Sequence, residues 1–297
     1  MMRRIYLFFL VLIFPFCLNA QSDSLRIKIA KLTEPALGKV GIAIMNIESG
    51  DTITYNGKLH LPMQSVFKFP IAMAIMSKVD SGKLSLNKKI HLSKSDMIPE
   101  TYSPLRDKYP AGNVDISIRD LLSYMVSQSD NVACDALIKF LGGPKAVNNY
   151  VHGLGATGIQ IVVNEDSMHK ARDVQYNNWC EPQQMIYLLY SFYEGKYLSK
   201  NSTALLYKIM TETTTSPKRI RGLLPKDAVV AHKSGSSGTY TDGVTPATND
   251  VGIITLPNGK HVILAAFVSD SHAANDSIRE TVIAKTARLL WDNAAKK

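Results

Sequence analysis

Residues 66–76 run apolar with one interruption, Lys68. An apolar run of this length with a single charge predicts a helix buried on nearly all sides, so the rest of the chain must wrap around it. Pro70 falls in its first turn, where a missing N–H is harmless. A lysine there is costly unless a partner or a task retains it. Three residues earlier stands Ser65, on the same helix face and one turn away. A serine becomes nucleophilic at neutral pH when a base is held beside it, and a desolvated lysine amine can be that base. The blander reading is a core helix with one snorkelling lysine. Spacing alone does not decide, because about one Ser-x-x-Lys match is expected in a chain this long. A second match, Ser85-Leu86-Asn87-Lys88, lies in the polar stretch 81–89 and reads as a solvated turn.

Residues 1–20 stand apart. Arg3 and Arg4 precede an apolar run over 5–16, and Leu18-Asn19-Ala20 is an acceptable cleavage site. A signal peptide is therefore expected, with a mature periplasmic chain beginning near Gln21. Its apolar run is short for a membrane span, so no membrane anchor is expected. Cys17 admits lipid attachment, although bulky Phe16 before it disfavours that reading. Apolar residues make up 45% of the chain and charged residues 20%, which fits a globular protein of one large or two smaller domains. Removing Arg3 and Arg4 lowers the formal charge from +9 to +7. No basic stripe with interleaved aromatics argues for nucleic acid. The histidines lack metal-ligand spacing and there is no Cys-x-x-Cys, so no metal or cofactor is expected. Cys134 and Cys180 could pair in an exported protein. The apolar helical surroundings of Cys134 read more simply as a buried free thiol.

Leu25, Ile29 and Leu32 give residues 22–33 a helical period. Strands are expected at 40–47 and 52–55 around the turn Glu48-Ser49-Gly50-Asp51. Helices follow near 66–79, 118–126, 131–141, 144–153, 182–194 and 202–211. Strands return at 229–234, 250–256 and 262–269, the last two joined by Pro257-Asn258-Gly259, before a helix over 276–291. This order predicts an α/β (α+β) fold. Residues 21–60 with 212–297 would form a lobe in which terminal helices flank an antiparallel sheet. Residues 61–211 would form an all-helical lobe, with a ligand in the cleft between them.

Two further clusters bear chemistry. Asp130 and Asn131 of Ser129-Asp130-Asn131 are ordinary N-cap residues for the helix that Gly142-Gly143 ends. Functionally, Ser129 would pass a proton to a leaving nitrogen and Asn131 would offer an amide to substrate. Lys233-Ser234-Gly235 closes a strand, either as a plain Gly/Ser turn or as an anion site. In the second case Lys233 and Ser234 meet a carboxylate and Gly235 leaves room for close approach.

Ser-x-x-Lys, Ser-Asp-Asn and Lys-Ser-Gly in this order resemble the signature of class A β-lactamases and penicillin-binding proteins, with Lys-Ser-Gly a variant of Lys-Thr-Gly. The chain resembles a class A serine β-lactamase over nearly its whole mature length. That resemblance implies the serine β-lactamase/penicillin-binding-protein-like fold, small-molecule β-lactam substrates, no cofactor and a monomer. It also implies a deacylating carboxylate on an Ω-loop, about 35 residues past the Ser-Asp-Asn serine in this family. Glu165 lies 36 residues past Ser129 and Glu181 lies 52 past it. Glu165 is therefore the expected residue, and Glu181 before Pro182 reads as the opening of the next helix.

Many members carry an arginine two residues before this glutamate and an asparagine four after it; here Val163 and His169 stand there. Such a loop is expected to be pinned differently, with His169 near the water. Asn164-Glu165 with Met168-His169, Val174-Gln175-Tyr176, Asn178-Trp179, Met63-Gln64-Ser65 and Val230-Ala231-His232-Lys233 are similar to the PER/VEB extended-spectrum group.

The resemblance assigns roles. Ser65 attacks, and Lys68, or Glu165 through water, takes its proton. The N–H groups of Ser65 and Ser236 hold the oxyanion. Ser129, tuned by Lys233, protonates the leaving nitrogen, and Glu165 activates the deacylating water. Ser234 and Ser236 meet the substrate carboxylate, Asn131 its amide side chain, and Tyr102 lines the cleft mouth. Arg219 stands where some members place a carboxylate-binding arginine; alternatively it is a surface charge in Lys218-Arg219-Ile220-Arg221. A D,D-peptidase would lack the deacylating carboxylate. A non-enzymatic β-lactam receptor would acylate without turnover.

Overall fold

A five-stranded antiparallel sheet with both faces buried organises the chain. The structure, a computed structural model, describes residues 16–295. Its strands are β1 (Lys39–Asn46), β2 (Thr52–Tyr55), β8 (Val230–Ser236), β9 (Thr248–Thr255) and β10 (His261–Ser269), in the order β2-β1-β10-β9-β8. Side chains alternate between faces along each strand. Val40, Ile42 and Ile44 of β1 and Leu264, Ala266 and Val268 of β10 join one core with Ile29 of helix α1 (Phe16–Thr33) and Val282, Ile283 and Ala287 of α10 (Asp276–Ala295). Ala43, Ile263, Ala265 and Phe267 face the other way, into a second core shared with the central helices. Burial on both sides explains strands that read as nearly continuous apolar runs.

At the centre of the second core lies α2 (Lys68–Asp80), buried without a break from Lys68 to Met76. Around it pack α4 (Ile118–Ser127), α5 (Asn131–Leu141), α6 (Pro144–Gly153) and α9 (Lys200–Thr211), while α8 (Pro182–Tyr193) packs on β1 and β10. Short helices α3 (Pro104–Lys108) and α7 (Glu165–Met168) pack against α5.

The block 61–211 is not wholly helical. It holds the hairpin β4 (Lys89–Leu92) with β5 (Val114–Ser117), and a three-stranded sheet of β3 (Leu61–Pro62), β7 (Trp179–Cys180) and β6 (Ile159–Gln160). Strands of two to four residues carry too little alternation to declare themselves in sequence. Strand β8 runs two residues beyond its expected end, because Gly235 and Ser236 pair with Asn249 and Thr248. Cys134 and Cys180 are buried, unpaired thiols, so the disulfide alternative is discarded. Most of the expected signal peptide lies outside the described residues, and its cleavage point falls within α1. Among the described residues no helix is long and apolar enough to cross a membrane.

Candidate active site

Ser65 sits in a tight 3-10 turn, Gln64–Phe67, that leads directly into α2. The turn opens with Gln64 in the left-handed region at φ 47°. That is an uncommon backbone state for a residue with a side chain, and such states gather at functional sites. Lys68 Nζ donates to Ser65 Oγ at 3.0 Å and lies 2.8 Å from Glu165 Oε1. It also donates to Ser129 O at 2.7 Å and to Asn131 Oδ1 at 2.5 Å. Ser65 Oγ is 3.4 Å from Glu165 Oε1, at the long limit of a hydrogen bond. Lysine and carboxylate are almost wholly buried, so each supplies the counter-charge the other needs.

Ser129 joins α4 to α5 and also adopts the left-handed region, at φ 59°. Asp130 caps α5 through the Ala133 N–H and accepts from Leu105 N and Ser103 Oγ, so this corner is tied to α3. Lys233 Nζ donates to Ser129 Oγ at 2.8 Å and to Ser234 O at 2.8 Å. Burial first, then the Lys68 charge, pushes the Lys233 ammonium well below the usual lysine value, against the pull of Asp250 and Glu165. Asn131 Nδ2 donates to Thr101 Oγ1, so both ends of its amide are engaged.

Strand β8 is a sheet edge and passes close to the turn that carries Ser65. A Cβ on Gly235 would stand 2.4 Å from Met63 O and 3.1 Å from Val66 N. Gly235→Ala should push β8 away from Ser65, lowering stability by about 1–3 kcal/mol and turnover by about 10²-fold. A thermal melt beside steady-state kinetics checks both. Beyond it, Ser236 is exposed and its Oγ accepts from Arg219 Nη2 at 2.7 Å. Ser234 Oγ is 3.0 Å from Thr215 Oγ1. Arg219 is only 5% exposed, so it is no surface charge. Tyr102 is exposed, and its carbonyl accepts from Asn131 N.

The loop that carries Glu165 is pinned by Asp135, which sequence reasoning passed over, and by Asn178, which it named without a role. Asp135, on α5, accepts from Glu165 N at 2.8 Å, Asp166 N at 3.0 Å and Asn164 Nδ2 at 3.0 Å. Asn178 accepts from Val162 N and Val163 N and donates to Val163 O. Together they hold the loop where Val163 offers no side-chain charge. Asp135 had a sequence signal: it follows Asn131 by four residues, on the same helix face. His169 is exposed, and its Nδ1 lies 2.7 Å from the Glu165 carbonyl, not from the carboxylate. Glu181 stands at the start of α8, with Gln183 and His60 as its neighbours.

Burial raises the Asp135 carboxyl to about 6, with the Glu165 charge adding to the effect. The native state therefore binds more protons here than the unfolded chain between pH 3.8 and about 6. The contribution of Asp135 to stability is accordingly greatest below that window and is lost as pH rises through it. In Asp135→Asn this dependence should vanish from melts recorded between pH 4 and 7. The amide also offers an N–H where Asp166 N needs an acceptor, so Glu165 should shift and kcat fall by about 10²-fold.

Known proteins resemble this chain in sequence and fold. Residues 24–294 match the Beta-lactamase enzyme family. The chain is 42% identical to the β-lactamase VEB-1 of Pseudomonas aeruginosa over 293 residues, which cover 98% of this chain and 97% of that one. The chain belongs to the class A β-lactamase family. The extended-spectrum β-lactamase PER-1 of Pseudomonas aeruginosa is 39% identical over 279 residues, 94% of this chain and 90% of the relative. The crystal structure of a β-lactamase from Chitinophaga pinensis superposes with a TM-score of 0.89 at 52% identity, covering 91% of this chain and 99% of that chain. Class A membership and the PER/VEB likeness accord with the motifs, and the enzyme hydrolyses β-lactams.

Proposed function

We propose that this class A β-lactamase works through an acyl-enzyme on Ser65, cleared by water that Glu165 activates, and that it acts on penicillins and cephalosporins. The observation that carries the reading is Lys68 Nζ, held between Ser65 Oγ at 3.0 Å and Glu165 Oε1 at 2.8 Å. Both protein groups that can take the serine proton thus meet at one buried point. Ser65 attacks the lactam carbonyl, and the backbone N–H groups of Ser65 and Ser236 receive the oxyanion. Ser129, in contact with Lys233, gives its proton to the departing nitrogen. Glu165 then takes a proton from water as that water attacks the ester.

Lys233, Ser234, Ser236 and Arg219 form the cationic and hydroxyl-bearing side that receives the substrate carboxylate. Asn131 meets the acyl amide, Tyr102 borders the mouth, and His169 braces the turn bearing Glu165. The likeness to VEB-1 and to the extended-spectrum enzyme PER-1 supports activity on bulky oxyimino-cephalosporins and resistance to them. Export to the periplasm fits the basic and apolar N-terminus, and a monomer suffices for a site built from one chain. Steady hydrolysis of a chromogenic cephalosporin over many turnovers is the expected result. A single stoichiometric burst would point instead to a penicillin-binding protein or receptor.

A further inference from the structure

Beneath the proposed carboxylate site lies a buried, hydrogen-bonded His–Asp pair that the reaction scheme leaves unused. His232 and Asp250 are both fully buried. By alternation along paired strands they share the sheet face of Val230 and Ile254. His232 Nδ1 lies 2.9 and 3.0 Å from the two Asp250 oxygens. A carboxylate only accepts, so this nitrogen carries the proton and donates it. His232 Nε2 has no hydrogen-bond partner among the described residues, which leaves Asp250 as the polar group that orients the ring. Gly252, opposite His232 in the register, makes room for it: a Cβ there would stand 2.7 Å from His232 Cβ.

Asp250 has a second task. Its Oδ2 accepts from the Ile220 N–H at 3.1 Å, one residue beyond Arg219. The Arg219 guanidinium donates to Gly235 O and Asn249 O at 2.9 Å each and to Ser236 Oγ at 2.7 Å, with Glu280 Oε1 3.4 Å from its Nε. A well-packed apolar pair of the same shape could fill this space at similar stability, so a buried hydrogen-bonded pair here calls for a specific task. We infer that His232 and Asp250 are positioning residues that fix the Ile220 amide, and so hold the Arg219 guanidinium under Ser236 and Gly235 for the substrate carboxylate. This rests on the proposed carboxylate site.

The test compares a chromogenic cephalosporin with its methyl ester as substrates. Wild type should prefer the acid. His232→Phe should raise KM for the acid about tenfold, keep kcat within about threefold, and shrink the acid-over-ester preference by a like factor. His232→Asn, whose amide can donate to Asp250 from nearly the same place, should recover most of that preference. Should His232→Phe not fold, Asp250→Ser, too short to reach Ile220 N, carries the same comparison. A variant that loses rate equally on acid and ester would overturn the inference, since misfolding alone gives that result. A wild type without acid preference would overturn the carboxylate site itself, and this inference with it.

Discussion

Replacing Ser65 with alanine should reduce turnover of every β-lactam by about 10⁵-fold or more, the scale seen when the nucleophile of a hydrolase is removed. The fold should survive, because the lost hydroxyl has Lys68 and Glu165 as its polar neighbours, and those two retain each other at 2.8 Å. Lys68 also keeps Ser129 O and Asn131 Oδ1. The melting temperature should therefore stay close to that of wild type, and no substrate should leave a covalent mass on the protein. Residual hydrolysis near the wild-type rate would mean that Ser65 is not the attacking group.

Glu165→Gln should separate the two halves of the reaction. Acylation keeps Lys68 as a base, so a burst of one equivalent should persist. Deacylation loses the group that takes a proton from water, so steady turnover should fall by about 10³-fold. The amide also replaces the buried carboxylate that pairs with Lys68 at 2.8 Å. Some loss of stability should accompany the loss of rate, and a melt run in parallel measures it. Rapid-mixing kinetics that show both phases slowed equally would assign Glu165 to acylation as well.

Much of this site was legible in the chain because its parts are local. Ser65 and Lys68 share one turn, Ser129 to Asn131 form one helix cap, and Lys233 to Gly235 end one strand. Each local pattern has a physical reason, and the buried run behind Lys68 separates it from the decoy Lys88. Other features were hidden because they depend on long-range contacts. Asp135 reaches the Glu165 loop across 30 residues, and Asn178 reaches Val162 across 16. Arg219 sits within a basic run that suggests solvent, yet the strands that bury it come later in the sequence. The short strands of the central block take their stability from pairing, as Cys180 does between Leu61 and Ile159. No local alternation announces such elements.

The most direct test of the account is an intact-mass time course for wild type and Glu165→Gln, each mixed with a chromogenic cephalosporin. Wild type should return to its free mass as product accumulates over many turnovers. Glu165→Gln should hold the mass of one opened lactam after its single burst. A variant that clears the adduct at the wild-type rate would contradict the account and move deacylation to another residue.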